Sequence, residues 1–284
     1  MKKQTDECKK TISVICGRIG STFISTVIRG IENKANEKNY KIEFHSLNSL
    51  TEEETSKTIE KILIEKDSHG IVVVSSTPSK MALNKIQKSK IPLVFIERNF
   101  NQHHCIMIDN FKAGYNAGMH LIKKGRKKLG VILDPQTKDK TSATYHRLEG
   151  FKKCLKENSI NYKDIIITSV NFHNIEEGRS AFDKIYKHIK KINGIFGVAG
   201  DLAAIGFLLE AKSHGITIPD DIAIIGFDDV EMASAVEPSL TTIKQPILKM
   251  GEEAINILHQ VFNKKIKHPA RLVLDTELII RETT

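Results

Sequence analysis

Short apolar runs alternate along this chain with longer stretches in which apolar residues recur at helical spacing. In the first long stretch, Phe23, Val27, Ile31 and Ala35 recur every fourth residue, so they form one face of a predicted helix. Strands that alternate with helices are typical of βαβ units and parallel sheets. The runs of strand length are TISVIC from residue 11, YKIEFHS from 40, GIVVVS from 70, IPLVFI from 91, CIMID from 105, KKLGVIL from 127, DIIITSV from 164, GIFGVA from 194 and IAIIGF from 222.

These nine runs are too many for one small doubly wound sheet. The pattern is weakest around residues 99–104, which are polar and irregular, and a boundary near this point predicts two lobes of similar architecture. A chain of 284 residues also fits two domains of about 100–200 residues each. After Leu240 the sequence adds TTIKQP, a helix from about Ile247 to Phe262 and a final strand-like RLVLDTELII. The predicted fold class is α/β, with two Rossmann-like lobes that each contain a parallel sheet.

Composition narrows the class of protein. The net charge of +9 is compatible with an acidic partner such as nucleic acid, but the lysines are spread over nearly every segment and no basic helix stands out. This favours a lysine-rich surface. Cys8, Cys16, Cys105 and Cys154 include no Cys-x-x-Cys pair, so reduced structural cysteines are expected. No run reaches the roughly 18 apolar residues of a membrane helix, and no secretory signal precedes the first strand, so we expect a cytoplasmic protein.

Charged residues follow several of the predicted strands. The strand IAIIGF ends on Asp228 and Asp229, and ligands in open α/β sheets bind beyond the carboxyl ends of strands. Asp109 follows CIMI, Asp201 follows IFGVAG, and Arg147 lies near the start of a predicted helix. Carboxylates accept hydroxyl hydrogen bonds and a guanidinium offers a rigid fork of donors, which suits a small polyhydroxy ligand. Asp109 and Asp201 are explained equally well as helix N-caps.

Signals for metal binding and catalysis are weak. The turn GRIGST lacks the lysine of a P-loop and the third glycine of a dinucleotide fingerprint. Adjacent strand residues point to opposite faces, so the histidines of His103-His104-Cys105 do not converge easily. His146 and Glu149 share a helical face without further ligands nearby. We therefore predict no metal, no cofactor and no enzyme, although a catalytic site assembled from distant positions stays open.

Five spaced blocks resemble the effector-binding core of the LacI/GalR family of bacterial transcription regulators. The resemblance runs from Lys10 to the end of the chain. It implies the type I periplasmic binding protein fold, in which two lobes are hinged by crossing strands. The blocks are IDNFKAGYNAGMHLIKKGRKKLGVI, RLEGFKKCLKE, GDLAAIGFLLEAKSHGITIPDDIAIIGFDD, EPSLTTIKQPILKMG and LIIRET.

The resemblance also implies domain limits and a function. Residues 1–10 would be a linker remnant, residues 11–124 with 246–271 an N-terminal lobe, and residues 125–245 with 272–284 a C-terminal lobe. The chain would sense a sugar, sugar phosphate or purine in the cleft between the lobes and thereby control operator binding allosterically, as a homodimer. Whether the ligand induces or co-represses stays open.

The resemblance also implies roles for individual residues. Asp228 and Arg147 match the main ligand contacts of the family, and Asp229 is expected to serve its own loop. Asp201 takes the second position of a family Asn-Asp pair, whose Asn is replaced by Gly200. The family's Asn-Pro-Phe-Phe is replaced by residues 21–24, which leaves Phe23 as an apolar wall, and a gap-free count from Gly178 puts His173, or its neighbour Phe172, at the position of a cleft aromatic. The predicted ligand-binding residues are Phe23, Asp109, Arg147, Phe172, His173, Asp201 and Asp228.

Family members usually begin with a helix-turn-helix and a hinge helix, and the residues before Thr11 are too few for either. Because the leader MKKQTDECKK resembles the linker after a hinge, we expect a fragment of a longer regulator that contacts operator DNA through the missing helix-turn-helix. A natural protein that binds ligand without contacting DNA is the competing explanation. A solute-binding protein of a sugar transporter and an enzyme with an α/β cleft are the alternative functions.

Overall fold

All nine predicted strands form, and they belong to two separate six-stranded sheets. The computed structural model describes residues 9–17, 21–266 and 268–284, so part of the GRIGST turn lies outside the described residues. The chain divides into two compact units. The first consists of residues through Met107 together with Ile247–Leu274, and the second of Ile108–Pro246 together with Asp275–Thr284. The chain therefore passes from one unit to the other three times.

The first unit is built on a largely parallel sheet with the strand order β11-β5-β4-β3-β1-β2. Its central strands are buried over their whole length, which explains their continuous Ile and Val content. The strands are β1 (Thr11–Cys16), β2 (Lys41–Ser46), β3 (Gly70–Val74), β4 (Leu93–Ile96), β5 (His104–Ile108) and β11 (Arg271–Leu274). The helices are α1 (Thr22–Glu37), α2 (Glu52–Glu65), α3 (Lys80–Ser89) and α9 (Ile247–Phe262).

The second unit repeats this arrangement with the strand order β12-β10-β9-β8-β6-β7. Its pairs are parallel except for the antiparallel pair of β10 with β12. The strands are β6 (Leu129–Leu133), β7 (Ile166–Ser169), β8 (Gly194–Gly197), β9 (Ala223–Asp228), β10 (Thr241–Lys244) and β12 (Glu277–Ile279). The helices are α4 (Asn110–Lys123), α5 (Ala143–Glu157), α6 (Ile175–Ile185), α7 (Asp201–Ser213) and α8 (Glu231–Ala235).

Both sheets contain a topological switch point, where the chain changes the direction in which it adds strands. In the second unit the switch lies between β6 and β8, which are neighbours although β7 separates them in sequence. Ligands of doubly wound folds bind beyond the carboxyl ends of the strands at such a point. The loops that follow β6 and β8 are therefore the first place to look for a site.

The final run, RLVLDTELII, forms two strands instead of the one that its alternation predicts. Arg271–Leu274 is the last strand of the first sheet, and Glu277–Ile279 pairs with β10 in the second. The expected limit between residues 271 and 272 therefore falls inside β11, whereas the chain leaves the first unit after Leu274.

Helix α4 packs in the second unit, whereas the expected lobe limit at residue 124 places it in the first lobe. It lies against α5 at van der Waals distance because a glycine in each helix faces the backbone of the other helix. A Cβ on Gly114 would meet the carbonyl oxygen of Arg147 at 1.9 Å, and a Cβ on Gly150 would meet that of Phe111 at the same distance. This close contact fixes the starts of both helices next to each other.

Each unit has its own hydrophobic core. In the first, residues of β1, β3, β4 and β5 pack with α2 and α3, and Phe95 is the largest fully buried side chain. In the second, Phe182 and Phe207 pack together from α6 and α7 with centroids 5.3 Å apart. Among the described residues, no helix is both long enough and apolar enough to cross a lipid bilayer.

Candidate functional site

Asp228 ends β9 at the carboxyl edge of the second sheet. Its backbone adopts φ of +114°, a conformation that residues other than glycine rarely adopt, so the chain turns sharply at this residue. Its Oδ1 accepts a hydrogen bond of 2.5 Å from Nε2 of Gln245, the residue after β10. The side chain is 17% exposed, which leaves the carboxylate within reach of a ligand.

Arg147 lies in the first half of α5 and is almost completely buried. Its guanidinium stacks 3.6 Å from the ring of Phe227, and its Nε donates to Oδ1 of Asn110 at 2.8 Å. Its Nη1 lies 3.9 Å from Oδ1 of Asp228 and donates a longer bond to the carbonyl of Val198, just beyond β8. The guanidinium is thus held in one orientation beside the carboxylate of Asp228.

A second carboxylate at this edge of the sheet, that of Asp134, directly follows β6. Its Oδ2 lies 3.0 Å from Nε2 of His173, in the loop between β7 and α6. Burial raises the pKa of Asp134, but the hydrogen bond and charge of His173, with smaller effects of Thr144 and Arg147, outweigh burial and lower it. For His173, burial lowers the pKa, and the hydrogen bond and charge of Asp134 outweigh burial and raise it. Both effects favour an ion pair.

Two other predicted carboxylates have internal partners. Asp201, at the first position of α7, is buried; its Oδ2 accepts from the backbone of Val230 at 2.9 Å and its Oδ1 from the Thr242 hydroxyl at 2.6 Å. Asp109 is exposed and caps α4 by accepting from the backbone nitrogen of Lys112 at 2.9 Å. Asp109 therefore makes the N-cap contact that the sequence offered as an alternative. Asp201 does not, because Gly200 is the N-cap of α7 and Asp201 instead holds the loop after β9.

The two predicted aromatic residues, Phe172 and Phe23, take part in none of the hydrogen bonds and ion pairs described above. Phe172 is 60% exposed, and the residue next to it, His173, makes the contact with Asp134. Phe23 belongs to the first unit, where it is half-buried at the start of α1. Asp229 contacts Arg281 at 2.6 Å through Oδ1, so it holds its own loop to the C-terminal segment.

The first unit carries a polar cluster of its own at the carboxyl ends of β3 and β4. Ser75 and Glu97, the residues directly after these strands, both adopt left-handed conformations, and the Ser75 hydroxyl donates to Glu97 at 2.5 Å. The buried Arg98 donates to the carbonyl of Ser75 at 2.7 Å. The hydroxyl of Ser76 is buried without a hydrogen-bond partner among the described residues. None of these residues is among the predicted ligand-binding residues.

Three residues of the second unit's cluster were also missed, namely Asn110, Asp134 and Gln245. The rule that selected Asp228, a polar residue directly after an apolar strand, also selects Asp134 after LGVIL and Gln245 after TTIK. Asn110 gives no such signal, because its neighbour Asp109 occupies the cap and only the packing of α4 on α5 brings Asn110 to Arg147. The second unit's cluster, as used below, consists of Asn110, Asp134, Arg147, His173, Asp228 and Gln245.

This cluster can bind a ligand that both donates and accepts hydrogen bonds. Its six side chains come from the ends of β6, β9 and β10, the starts of α4 and α5, and the loop after β7. They combine carboxylate acceptors with cationic donors in a partly buried surrounding, where hydrogen bonds to charged groups are strong. Within the described ranges, no group of three or more His, Cys, Asp or Glu is arranged to hold a metal ion.

Sequence comparisons match the chain to proteins with a common role. The periplasmic binding protein-like domain family matches residues 119–284. The HTH-type transcriptional repressor CytR of Escherichia coli (strain K12) is 30% identical over 278 residues, which cover 97% of this chain and 79% of that protein. The NTD biosynthesis operon regulator NtdR of Bacillus subtilis (strain 168) is 28% identical over 277 residues, which cover 97% of this chain and 82% of that protein.

A solved structure gives the same result for the fold. The LacI family transcriptional regulator from Enterococcus faecium, determined with bound ribose, superimposes with a TM-score of 0.85 and 26% sequence identity. The match covers 97% of this chain and 98% of that one. The two sheets and their alternating helices are thus the architecture of a known effector-binding core.

Proposed function

This chain belongs to the LacI family of transcription regulators and forms their periplasmic-binding-protein-like effector-binding domain, and from this we propose that the second unit's cluster binds the effector. The ligand is a small polar molecule of the sugar, sugar phosphate or purine class. Arg147 and Asp228 are its main contacts. The regulator acts in the cytoplasm as a homodimer and contacts operator DNA through a helix-turn-helix that precedes this domain in the whole protein.

The observation that carries the proposal is the pairing of Arg147 with Asp228 at the switch-point edge of the second sheet. Phe227, Asn110 and Gln245 hold the guanidinium and the carboxylate beside each other, with Nη1 of Arg147 3.9 Å from Oδ1 of Asp228. Two fixed, oppositely charged groups at this distance can each make a hydrogen bond to the same ligand. Preorganisation of this kind lowers the entropic cost of binding.

A ligand changes the activity of such a regulator only through a difference in affinity between its conformations. Couplings of this kind are typically about 1–3 kcal/mol, which corresponds to a change of roughly 5–150-fold in operator affinity. The sign of the change depends on which conformation binds DNA. Ribose, bound by the Enterococcus faecium regulator, is a first candidate ligand for this chain.

A thermal-shift screen tests the proposal. Ribose, other pentoses and hexoses, their phosphates and purine nucleosides are added in turn, and a ligand that binds only the folded protein raises the unfolding temperature. We expect Asp228→Asn and Arg147→Lys each to remove the shift, because the first removes a carboxylate and the second the planar fork of donors. The exposed Asp183→Asn is the matched control and should keep the shift.

Outcomes that contradict the proposal are equally specific. Shifts of wild-type size in both cluster variants would place the effector elsewhere. Turnover of a tested compound that disappears in Asp228→Ala would favour the enzyme alternative. Sugar binding by a chain whose full gene encodes a secretion signal or lipid anchor would favour a solute-binding protein of a transporter.

A further inference from the structure

The carboxylate of Asp134 lies among protein groups. Its Oδ1 accepts from the backbone nitrogen of Thr137 and from the hydroxyl of Thr144, each at 3.1 Å. Its Oδ2 faces Nε2 of His173 at 3.0 Å. The side chain is completely buried, so a ligand does not reach it. Asp134 therefore acts on a ligand through His173.

The two ring nitrogens of His173 have different surroundings. Its Nε2 lies 3.0 Å from Oδ2 of Asp134, and no residue in the described part of the chain makes a hydrogen bond to its Nδ1. The side chain is 43% exposed, whereas that of Arg147 is only 5% exposed. Within the cluster, His173 is thus the more exposed of these two side chains, and one of its ring nitrogens lies beside the buried carboxylate of Asp134.

Three charged groups from different elements act on this imidazole. Asp134, after β6, and Asp228, at the end of β9, favour its protonated form, and Arg147, from α5, opposes it. Together with burial, these groups leave the pKa of His173 above its usual value, with Asp134 as the main favourable partner. A protonated imidazole donates from both nitrogens, so Nδ1 becomes a charged donor.

We propose that His173 is a specificity-determining ligand contact that donates from Nδ1 to an anionic oxygen of the ligand, and that Asp134 is its positioning residue. This inference rests on the proposed function, because it assigns a chemical class to the ligand of the same cluster. The ligand is a polyhydroxy compound that carries a carboxylate or a phosphate group. Its hydroxyls donate to Asp228, and its anionic group accepts from His173.

The preference for an anion follows from hydrogen-bond roles and from charge. A ligand hydroxyl can pair with either form of the imidazole, because it both donates and accepts, whereas an anionic oxygen only accepts and needs Nδ1–H. With His173 protonated, its charge and that of Arg147 balance the two carboxylates, Asp134 and Asp228. Loss of the His173 proton leaves one excess negative charge, which repels an anion.

The affinity for such a ligand should therefore depend on pH with a defined sign. Binding is strongest below the pKa of His173, where the donor is present. Above that pKa the affinity falls, because each binding event must first add a proton, until it reaches the affinity that remains without the His173 donor, about tenfold lower. A neutral polyol should show no such slope.

The test is a titration of histidine-labelled protein followed by NMR of the imidazole signals, with gluconate, glucose 6-phosphate and the neutral polyol glucitol as probes. Near pH 6, roughly the ordinary range of histidine, gluconate or glucose 6-phosphate should raise the pKa of His173 in the NMR titration, and glucitol should leave that pKa unchanged. The anion that binds more tightly identifies the group as carboxylate or phosphate. His173→Phe should weaken binding of that anion by about tenfold and abolish its pH slope. Asp134→Asn should move the midpoint of the slope to lower pH.

The control is His188→Phe, which changes an exposed histidine of the same unit and should leave binding and slope unchanged. Neutral sugars that bind through Arg147 and Asp228 while both anions leave His173 unaffected would overturn this inference and leave the proposed function intact. A panel in which neither neutral nor anionic compounds perturb any residue of the cluster would overturn both. An unchanged pH slope in Asp134→Asn would remove the positioning role.

Discussion

The role of each carboxylate in the second unit follows from which of its oxygens already have protein partners. Asp201 is buried and accepts hydrogen bonds from a backbone N–H and a hydroxyl, so it stabilises the loop after β9. Asp134 is also buried, and its Oδ2 lies 3.0 Å from Nε2 of a histidine, His173. Asp228 accepts a hydrogen bond from Gln245, is partly exposed and lies beside the oppositely charged Arg147. The same residue type thus serves a loop, a neighbouring side chain and a ligand.

Asp201 gives a prediction about stability. Asp201→Ala leaves the Val230 N–H and the Thr242 hydroxyl unpaired in a buried place, so we expect a loss of about 2–3 kcal/mol in the free energy of unfolding. Asp201→Asn keeps one acceptor and can donate to the Thr242 hydroxyl, so it should lose less than about 1 kcal/mol. Urea denaturation of the two variants measures both losses, and equal losses would show that the hydrogen bonds are not the cause.

Asp201 also predicts a pH dependence of stability. Burial, and next the charge of Asp228, raise the pKa of its carboxyl well above the usual value. The folded protein therefore holds this proton more tightly than the unfolded chain. The resulting stabilisation is complete below the unfolded pKa, near pH 4, and is lost as the pH rises towards the folded pKa. Wild type should lose stability relative to Asp201→Asn over this rise. Parallel pH curves in urea denaturation would contradict the prediction.

At the scale of elements, the site depends on how closely α4 and α5 pack. Asn110 and Arg147 lie near the starts of these helices, and Gly114 and Gly150 allow the two backbones to touch. Larger side chains at these glycines would separate the helices and lengthen the Asn110–Arg147 hydrogen bond. The guanidinium would then lose one of the groups that orient it.

Gly114→Ala tests this contact. Its Cβ would lie 1.9 Å from the carbonyl oxygen of Arg147, so the helices must move apart, at a cost of about 1–3 kcal/mol in the free energy of unfolding. Ligand affinity should fall as well, because the helix shift moves Arg147. Asn116→Ala, at an exposed position of the same helix, is the control and should change neither quantity. Thermal denaturation with and without ligand gives both readings, and a variant with wild-type values would show that the packing is loose.

At the scale of the whole molecule, the two units share one design. Each has a parallel sheet with the same order of its central strands and a polar cluster at its carboxyl edge. Three passes of the chain join the units, and the last helix and strand of the first unit come from the C-terminal part of the sequence. This connectivity ties the folding of the first unit to the synthesis of nearly the whole chain.

The prediction at this scale concerns regulation. In a whole regulator that contains this domain, the effector should change operator affinity by roughly 5–150-fold, and Arg147→Lys should abolish the change while leaving operator binding without effector intact. Fluorescence anisotropy with labelled operator DNA measures both affinities. An effector response of normal size in Arg147→Lys would show that the cluster does not transmit the signal.

Sedimentation of the domain alone should give the mass of two chains.

The sequence by itself determined the elements of this protein. Alternating apolar runs and helical periodicity predicted the strands β1 to β9, and α9 forms over the predicted residues Ile247 to Phe262. Such patterns are local, because each strand or helix records in its own residues which faces are buried. The family blocks added the fold and two residues, Arg147 and Asp228, which the structure places 3.9 Å apart.

The tertiary structure decided what the local pattern could not contain. Whether a carboxylate after a strand caps a helix, holds a loop or faces a cation depends on residues far away in sequence, as Asp201, Asp134 and Asp109 show. The split of RLVLDTELII between two sheets has the same origin, since both halves alternate alike and only their strand partners differ. The physical reason is that strand pairing and side-chain contacts between distant segments are not encoded in the periodicity of any one segment.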